Sequence, residues 1–176
     1  MNRLFLWGGF LLFLISCKPT DLKKDSLIEK EDKTVNLYAF IGKKIFVQKV
    51  ERDTTLTEKF IGLDGDTVVQ KVIPFDQKFE AKYQVLKNVF NELPTDTGSF
   101  LVYDHYGRPK FQNYENALLY ISVDQEDENY YLQKYQYDPV KKTKKGDWKG
   151  LNGESIEKLF HEKKNGVLTA RGLFDK

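Results

Sequence analysis

The chain has 176 residues and a formal net charge of +2, because 28 lysines and arginines stand against 26 acidic residues. A charge this close to zero excludes the strong electrostatic footprint of a nucleic-acid-binding protein, so we expect no nucleic-acid partner. The single cysteine excludes a disulfide within the chain. The fold therefore depends on its apolar core alone.

An apolar segment follows a short positive N-terminal start. Arg3 precedes residues 4–15, which are all apolar or glycine, and this segment is shorter than the roughly 20 residues of a membrane-spanning helix. It ends in "LISC", at residues 14–17, which resembles the lipobox of bacterial lipoproteins. The resemblance implies that residues 1–16 are a signal peptide and that Cys17 becomes the lipidated N-terminus. The alternative is an incidental cysteine after an ordinary secretory signal or in a short amphipathic anchor.

A lipidated Cys17 also implies a location. We expect a lipid-anchored protein of the bacterial cell envelope, held by its N-terminal lipid at the outer membrane, on the periplasmic face or at the cell surface. Acylation removes a reactive thiol, and several acyl chains together give firm membrane binding. Residues 17–34 are mostly charged, which predicts a lipidated cysteine followed by a flexible tether.

Residues 35–176 are predicted to form a single β-rich globular domain. Alternating apolar residues over 35–52 predict a long strand with a bulge or kink at Gly42. The Asp-Gly pair at 64–65 lies between two apolar pairs and predicts a β-hairpin. Calcium binding by the aspartates of this turn is the alternative, but the full twelve-residue calcium loop is absent and a plain turn is favoured.

Patterns of apolar residues also predict the strands and the helix in the second half of the domain. Alternation of apolar and polar residues indicates half-buried strands, a continuous apolar run indicates a strand covered on both faces, and apolar residues at i, i+3 and i+4 indicate a helix. The strands are 78–90, 99–107, 117–123 (covered on both faces) and 130–142 (stopped or bent by Pro139), followed by a helix over 153–166; the pattern also allows a last short strand over 167–174. The predicted buried core includes Phe79, Tyr83, Val85, Val102, Leu119 and Ile121.

The order of these elements resembles a known family. The segments "YAFIGKKIFVQKV", "FEAKYQVLKNVFNEL", "SFLVYDHYG" and "ALLYI", between residues 37 and 123, are similar to the netrin-like, or tissue-inhibitor-of-metalloprotease-like, barrel. The resemblance implies a mainly β fold, a small OB-type antiparallel barrel or sandwich, here with one C-terminal helix. The chain departs from that family because its domain has no cysteine, so no inhibitory residue is carried over to it.

Asp104 and His105, with Arg108 nearby, form the one group of side chains that resembles a catalytic site. A histidine beside an aspartate is suited to act as a base with its orienting partner, yet neighbours in a strand point to opposite faces. A turn in which the aspartate caps the backbone is favoured over catalysis. We therefore predict no catalytic residue, no metal site, no cofactor and no enzymatic activity, with an envelope hydrolase at Asp104 and His105 as the alternative.

Tyrosines are the second candidate site. Three of them fall on one predicted face of the strand 130–138, others surround the glycine turn at 107, and a tryptophan lies in the basic stretch "KKTKKGDW". Exposed aromatic rings stack on sugars or anchor protein partners, whereas the alternative is ordinary strand tyrosines and a solvated hairpin tip. We expect a non-catalytic binding or structural domain with an envelope protein or a glycan as partner. The predicted contact residues are Tyr103, His105, Tyr106, Arg108, Tyr131, Tyr135, Tyr137 and Trp148.

Overall fold

The computed structural model describes residues 27–51, 55–72 and 75–175. The predicted signal peptide and Cys17 lie outside the described residues. Within these described ranges, eight strands precede one α-helix. They are β1 (Tyr38–Lys49), β2 (Thr57–Ile61), β3 (Thr67–Lys71), β4 (Gln77–Phe90), β5 (Thr97–Asp104), β6 (Asn116–Val123), β7 (Tyr130–Lys142) and β8 (Trp148–Gly150), followed by α1 (Ile156–Lys163); a 3₁₀ turn (Lys110–Asn113) lies between β5 and β6.

The main sheet has the order β5-β4-β1-β6-β7-β8, and its neighbouring strands are antiparallel. A parallel pairing of Leu101 in β5 with Tyr131 in β7 closes five of these strands into a ring. A five-stranded, partly open barrel of this connectivity is of OB type. The predicted mainly β fold, a small antiparallel barrel with one C-terminal helix, is confirmed.

Gly42 marks the predicted bulge in β1, where the register against β4 shifts between Ile41 and Gly42. A Cβ atom at this position would lie 2.9 Å from Phe40 Cε2 and 3.0 Å from the Tyr83 side chain. Only a residue without a side chain fits between these two rings. The bulge therefore bends β1 enough for the barrel to close.

The core has two parts, one on each face of the sheet. Aromatic and aliphatic side chains from β4, β5 and β6 fill the barrel interior, whereas α1 covers a second cluster on the outer face of β1, β4 and β6. On β6, Leu119 faces the interior and Tyr120 faces the helix, and both are fully buried. The predicted burial is confirmed for Phe79, Tyr83, Val102, Leu119 and Ile121, whereas Val85 is only half-buried.

Strands β2 and β3 form a separate two-stranded sheet joined by the predicted hairpin turn, with Gly65 at φ +82°. Every residue of both strands is exposed. Phe60 is 47% exposed, and Ile61 and Leu63 are exposed further still. The hairpin therefore contributes little to the core.

The C-terminal region confirms the predicted helix and differs after it. Ser155 caps α1 by accepting a hydrogen bond from Lys158 N at 3.1 Å, as expected at an N-cap. Residues 164–168 continue as a wider helical turn in place of the predicted strand over 167–174. The continuation buries Leu168 completely in the cluster under α1, which an extended strand leaving the helix would not do. β7 also runs through Pro139 to Lys142, with β6 on one side and β8 on the other.

Residues 27–34, expected as part of the tether, pack on the domain. Glu29 N donates to Val89 O at 3.0 Å, and the Glu29 carboxylate lies 2.8 Å from His161 Nε2. Asn91 holds the next residues, because its amide nitrogen donates to the carbonyl oxygens of Asp32, Val35 and Leu37. The chain is therefore already in contact with the domain at Ile28, which packs against the cluster under α1. In the described part of the chain, no helix has the length and apolar character needed to cross a bilayer.

Candidate functional site

A large bulge interrupts β7 where it passes the glycine turn. Leu119 of β6 faces Tyr137 of β7, yet Ile121, two residues along, faces Leu132. Five residues of β7 therefore span the same length as two residues of β6. Tyr135 lies within this bulge at φ +64°, a left-handed conformation that costs a residue with a side chain roughly 1–2 kcal/mol.

Side chains from the C-terminal region hold the bulge in place. Arg171 donates through Nη1 to Gln133 Oε1 at 3.1 Å and through Nη2 to the Lys134 carbonyl at 2.9 Å. Gln136 Nε2 donates to the same carbonyl, while Lys163 Nζ donates to Gln136 Oε1 at 3.2 Å. These bonds supply partners for backbone and side-chain groups that the bulge removes from the sheet. The surrounding residues therefore hold the bulge in its strained conformation.

The bulge forms one wall of a cleft of about 370 Å³, which we name the tyrosine cleft. Its rings come from β7 and from the turn after β5, and the Tyr106 and Tyr135 centroids lie 6.3 Å apart. Tyr137 packs edge-on against Phe111, with centroids 5.9 Å apart. The lining side chains that bear on its chemistry are Asp104, Tyr106, Arg108, Phe111, Tyr135 and Tyr137.

Asp104 and His105 point to different partners and do not form a catalytic pair. The buried Asp104 carboxylate accepts a hydrogen bond from Tyr106 N at 2.8 Å, which is the turn-capping role that the sequence favoured. His105 Nδ1 lies 3.2 Å from Asp76 Oδ1, and Lys134 Nζ donates to the other Asp76 oxygen at 2.8 Å. The hydrogen bond from Lys134 is the main reason that the pKa of Asp76 lies below its ordinary value.

Tyr103 and Tyr131 form a second aromatic pair outside the cleft. Their rings stack with centroids 6.1 Å apart and planes within 9° of each other. The Tyr131 hydroxyl donates to the Asp127 carboxylate at 2.5 Å, and this bond raises the pKa of Tyr131 to about 12, because ionisation of the hydroxyl would break it. Trp148 lies elsewhere, on β8, where Lys142 Nζ sits 5.8 Å from the ring centroid.

Contrary to the prediction from the sequence, the three tyrosines of β7 do not lie on one face of the strand. Tyr131 faces Ser122 and Tyr137 faces Leu119, and residues 119 and 122 lie on opposite faces of β6 because their separation is odd. The bulge brings Tyr135 and Tyr137 to the cleft and leaves Tyr131 outside it. The structure thus assembles Tyr106, Arg108, Tyr135 and Tyr137, places His105 beside them on Asp76, and separates Tyr103, Tyr131 and Trp148 from them.

Sequence reasoning missed Lys110, which lines the cleft, and the residues Lys163 and Arg171, which support the bulge. Lys163 lies 27 residues beyond Gln136 and Arg171 lies 37 residues beyond Lys134, and no local pattern links either of them to β7. Among residues 27–51, 55–72 and 75–175, no group of three or more His, Cys, Asp or Glu side chains is arranged to hold a metal ion.

Comparison of the chain with protein-family models, with curated proteins and with solved structures finds no match in any of the three. The netrin-like resemblance stays a prediction from the order of the strands. Any role for the tyrosine cleft has to be argued from its geometry.

Proposed function

We propose that the chain is a lipid-anchored protein of the bacterial envelope whose barrel binds an envelope glycan in the tyrosine cleft. The observation that carries the binding role is Tyr135, a tyrosine held at φ +64° over an open cleft by a network that fixes its backbone. Strain of this kind concentrates at binding and active sites. The anchor rests on the apolar segment that ends at Cys17.

The chemistry of the cleft suits a sugar. Tyr106 is 84% exposed and Tyr135 is 42% exposed, so both rings offer apolar surface to the C–H face of a pyranose, although Lys134 Nζ lies over one face of the Tyr135 ring. Arg108 supplies hydrogen-bond donors and Asp104 supplies acceptor oxygens at the cleft wall, and a sugar hydroxyl requires both. Clefts of this kind combine apolar walls with a few polar groups that fix the orientation of the ligand.

The position of His105 supports a binding role over a hydrolase. Asp76 orients its imidazole, as a carboxylate does in hydrolytic triads. In the part of the chain that the structure describes, no hydroxyl or thiol is hydrogen-bonded to this ring. Covalent catalysis pairs such a base with a hydroxyl or thiol nucleophile, and this pairing is not formed at His105 among the described residues.

The glycan proposal is tested with the mature chain carrying Cys17→Ser, which is free of lipid, and with polysaccharide isolated from the envelope. We expect Tyr106→Ala and Tyr135→Ala each to weaken binding by about tenfold, the effect of losing one stacked ring. Tyr103→Ala is the matched control, because Tyr103 is 41% exposed but lies outside the cleft. Equal loss from the control variant would overturn the assignment. Capture of an envelope protein in place of polysaccharide, sensitive to the same two substitutions, would give the cleft a protein partner.

The anchor is tested separately in cells. If Cys17 is acylated, the wild-type chain incorporates labelled palmitate, whereas Cys17→Ser leaves an uncut precursor without label. Label retained in the serine variant would show that the lipid is attached elsewhere, whereas a wild-type chain without label would show that the signal is an ordinary secretory one.

A further inference from the structure

Lysines are concentrated on the hairpin between β7 and β8. Residues 141–149, which we name the basic hairpin, contain five lysines and one acidic residue, Asp147. Lys144 and Lys145 are exposed at its tip. Lys141 Nζ donates to the neutral Leu151 carbonyl at 2.8 Å, and Lys142 lies over the Trp148 ring. Neither contact neutralises the charge, so the tip presents a positive surface beside an aromatic ring.

The chain reaches the barrel beside this hairpin. Ile28, Lys142, Gly146 and Trp148 line one shallow depression of about 510 Å³, so the first described residues lie against the base of the basic hairpin. Only about ten residues join Cys17 to residue 27, and even a fully extended chain of that length spans at most about 35 Å. If Cys17 carries lipid, as the proposed function holds, this end of the barrel stays close to the membrane.

The tyrosine cleft lies towards the other end. Along β7, Tyr137 of the cleft precedes the turn at Thr143 by six residues, or about 20 Å of strand. Along β4, Gln77 pairs with Asp104 at the cleft, whereas Leu86 lines the depression that holds Ile28, a separation of up to about 30 Å. A barrel that rests on its basic hairpin therefore directs the cleft away from the membrane.

We propose that the basic hairpin docks on anionic lipid headgroups and so orients the cleft outward. Ammonium groups close to an anionic surface attract it over about one Debye length, and each lysine strengthens binding by roughly fivefold. Tryptophan prefers the membrane–water interface, and Trp148 lies between the lysines and the entry of the chain. Asp147 and Glu157 border the same depression and reduce the attraction, but the lysines outnumber them.

The test uses the mature chain from residue 17 with Cys17→Ser, so that binding does not depend on acylation. The sequence has two tryptophans, Trp7 and Trp148, and only Trp148 is present in this chain. Its fluorescence therefore reports on the basic hairpin alone. We compare quenching by a headgroup-labelled lipid in phosphatidylcholine vesicles with and without 30% phosphatidylglycerol, and we measure the partition coefficient by vesicle flotation.

The decisive variant replaces Lys141, Lys142, Lys144 and Lys145 by glutamine. Its matched control removes the same charge from exposed lysines elsewhere, with glutamine at 43, 49, 59 and 71. For the anionic vesicles we expect the first variant to lower the partition coefficient more than about 50-fold and the control less than about threefold. Quenching of Trp148 should appear only with phosphatidylglycerol and should weaken at high salt.

Three results would overturn the proposal. They are equal losses in the two variants, binding without quenching of Trp148, and retention on a soluble anionic polysaccharide without vesicle binding. The last result would assign the hairpin to a polymer in place of a membrane. None of these results depends on whether Cys17 is acylated or on whether the cleft binds a glycan, so failure of the proposed function remains a separate finding.

Discussion

Replacing Tyr135 by glycine and by alanine measures the strain in the bulge of β7. Both substitutions remove the same ring, including its contact with Tyr106 and with Lys134 Nζ, 5.6 Å from the ring centroid. The two variants therefore differ only in the freedom of the backbone at φ +64°. Alanine keeps the left-handed penalty of about 1–2 kcal/mol, and glycine does not. The glycine variant instead loses about 0.5–1 kcal/mol of folding stability relative to alanine, because its unfolded chain has more conformational freedom.

The glycine variant is therefore expected to be more stable than the alanine variant by about 0.5–1 kcal/mol. Tyr103 provides the control, because it lies in β5 and is not among the residues with positive φ. There the order should reverse, with alanine more stable by about 0.5–1 kcal/mol. Urea unfolding measures both pairs, and each kcal/mol corresponds to about 2–4 °C in melting temperature for a domain of this size. If alanine is the more stable variant at both positions, the bulge is not strained, and the argument from Tyr135 to a binding site fails.

Further substitutions test other parts of the fold. Leu119→Ala empties a fully buried site in the barrel and should cost about 2–5 kcal/mol in urea unfolding; a loss below 1 kcal/mol would contradict the interior position of this side chain. Asn91→Ala removes three hydrogen bonds to carbonyl oxygens and should speed amide exchange over 29–37, together with a loss of at least about 2 kcal/mol; unchanged exchange would show that the segment is held by other contacts. Asp127→Asn should lower the pKa of Tyr131 from about 12 towards the free value, read from its ¹³Cζ shift. Because the folded-state pKa is raised, the stability contributed by this bond is present below pH 10 and lost as the pH rises through about 12; an unmoved pKa in the variant would exclude the bond as the cause. Replacing the exposed hairpin 56–72 by a short glycine-serine turn should leave the melting temperature within about 2 °C, and a larger fall would mean that the hairpin packs on the barrel.

Local patterns were sufficient to predict most strands. The strict alternation from Phe79 to Val85 marks β4, and the continuous apolar run from Ala117 to Ile121 predicts a strand buried on both faces, which is how β6 lies between the barrel interior and α1. The Asp-Gly pair at 64–65 acts through backbone conformation, with Gly65 at φ +82°, which is also local. These features depend only on residues that are close in sequence, and a single chain is enough to read them.

The cleft depends on contacts between distant residues, and the sequence does not display them. The register jump opposite Leu119 and Ile121 moves Tyr135 and Tyr137 relative to Tyr131. The sequence of the strand 130–142 does not predict this jump, because it contains no glycine that would indicate a bulge. Its stabilising partner Arg171 lies 37 residues from Lys134. The contacts of Glu29 are distant in the same way, because they join it to Val89 of β4 and to His161 of α1.

Those distant contacts also connect the two ends of the barrel. Glu29, next to the entry of the chain, pairs with His161 near the end of α1. Two residues further along, Lys163 donates to Gln136 in the bulge that carries Tyr135. Helix α1 therefore contacts both the segment that leads to the proposed anchor and the wall of the tyrosine cleft. Because these contacts fix residue 29 and the bulge on one packed element, the cleft has a defined direction relative to the point where the chain leaves the barrel. A tether that was free up to residue 34 would not give the cleft such a direction. The short connection to Cys17 matters for the orientation of the cleft because residue 29 is packed on the domain.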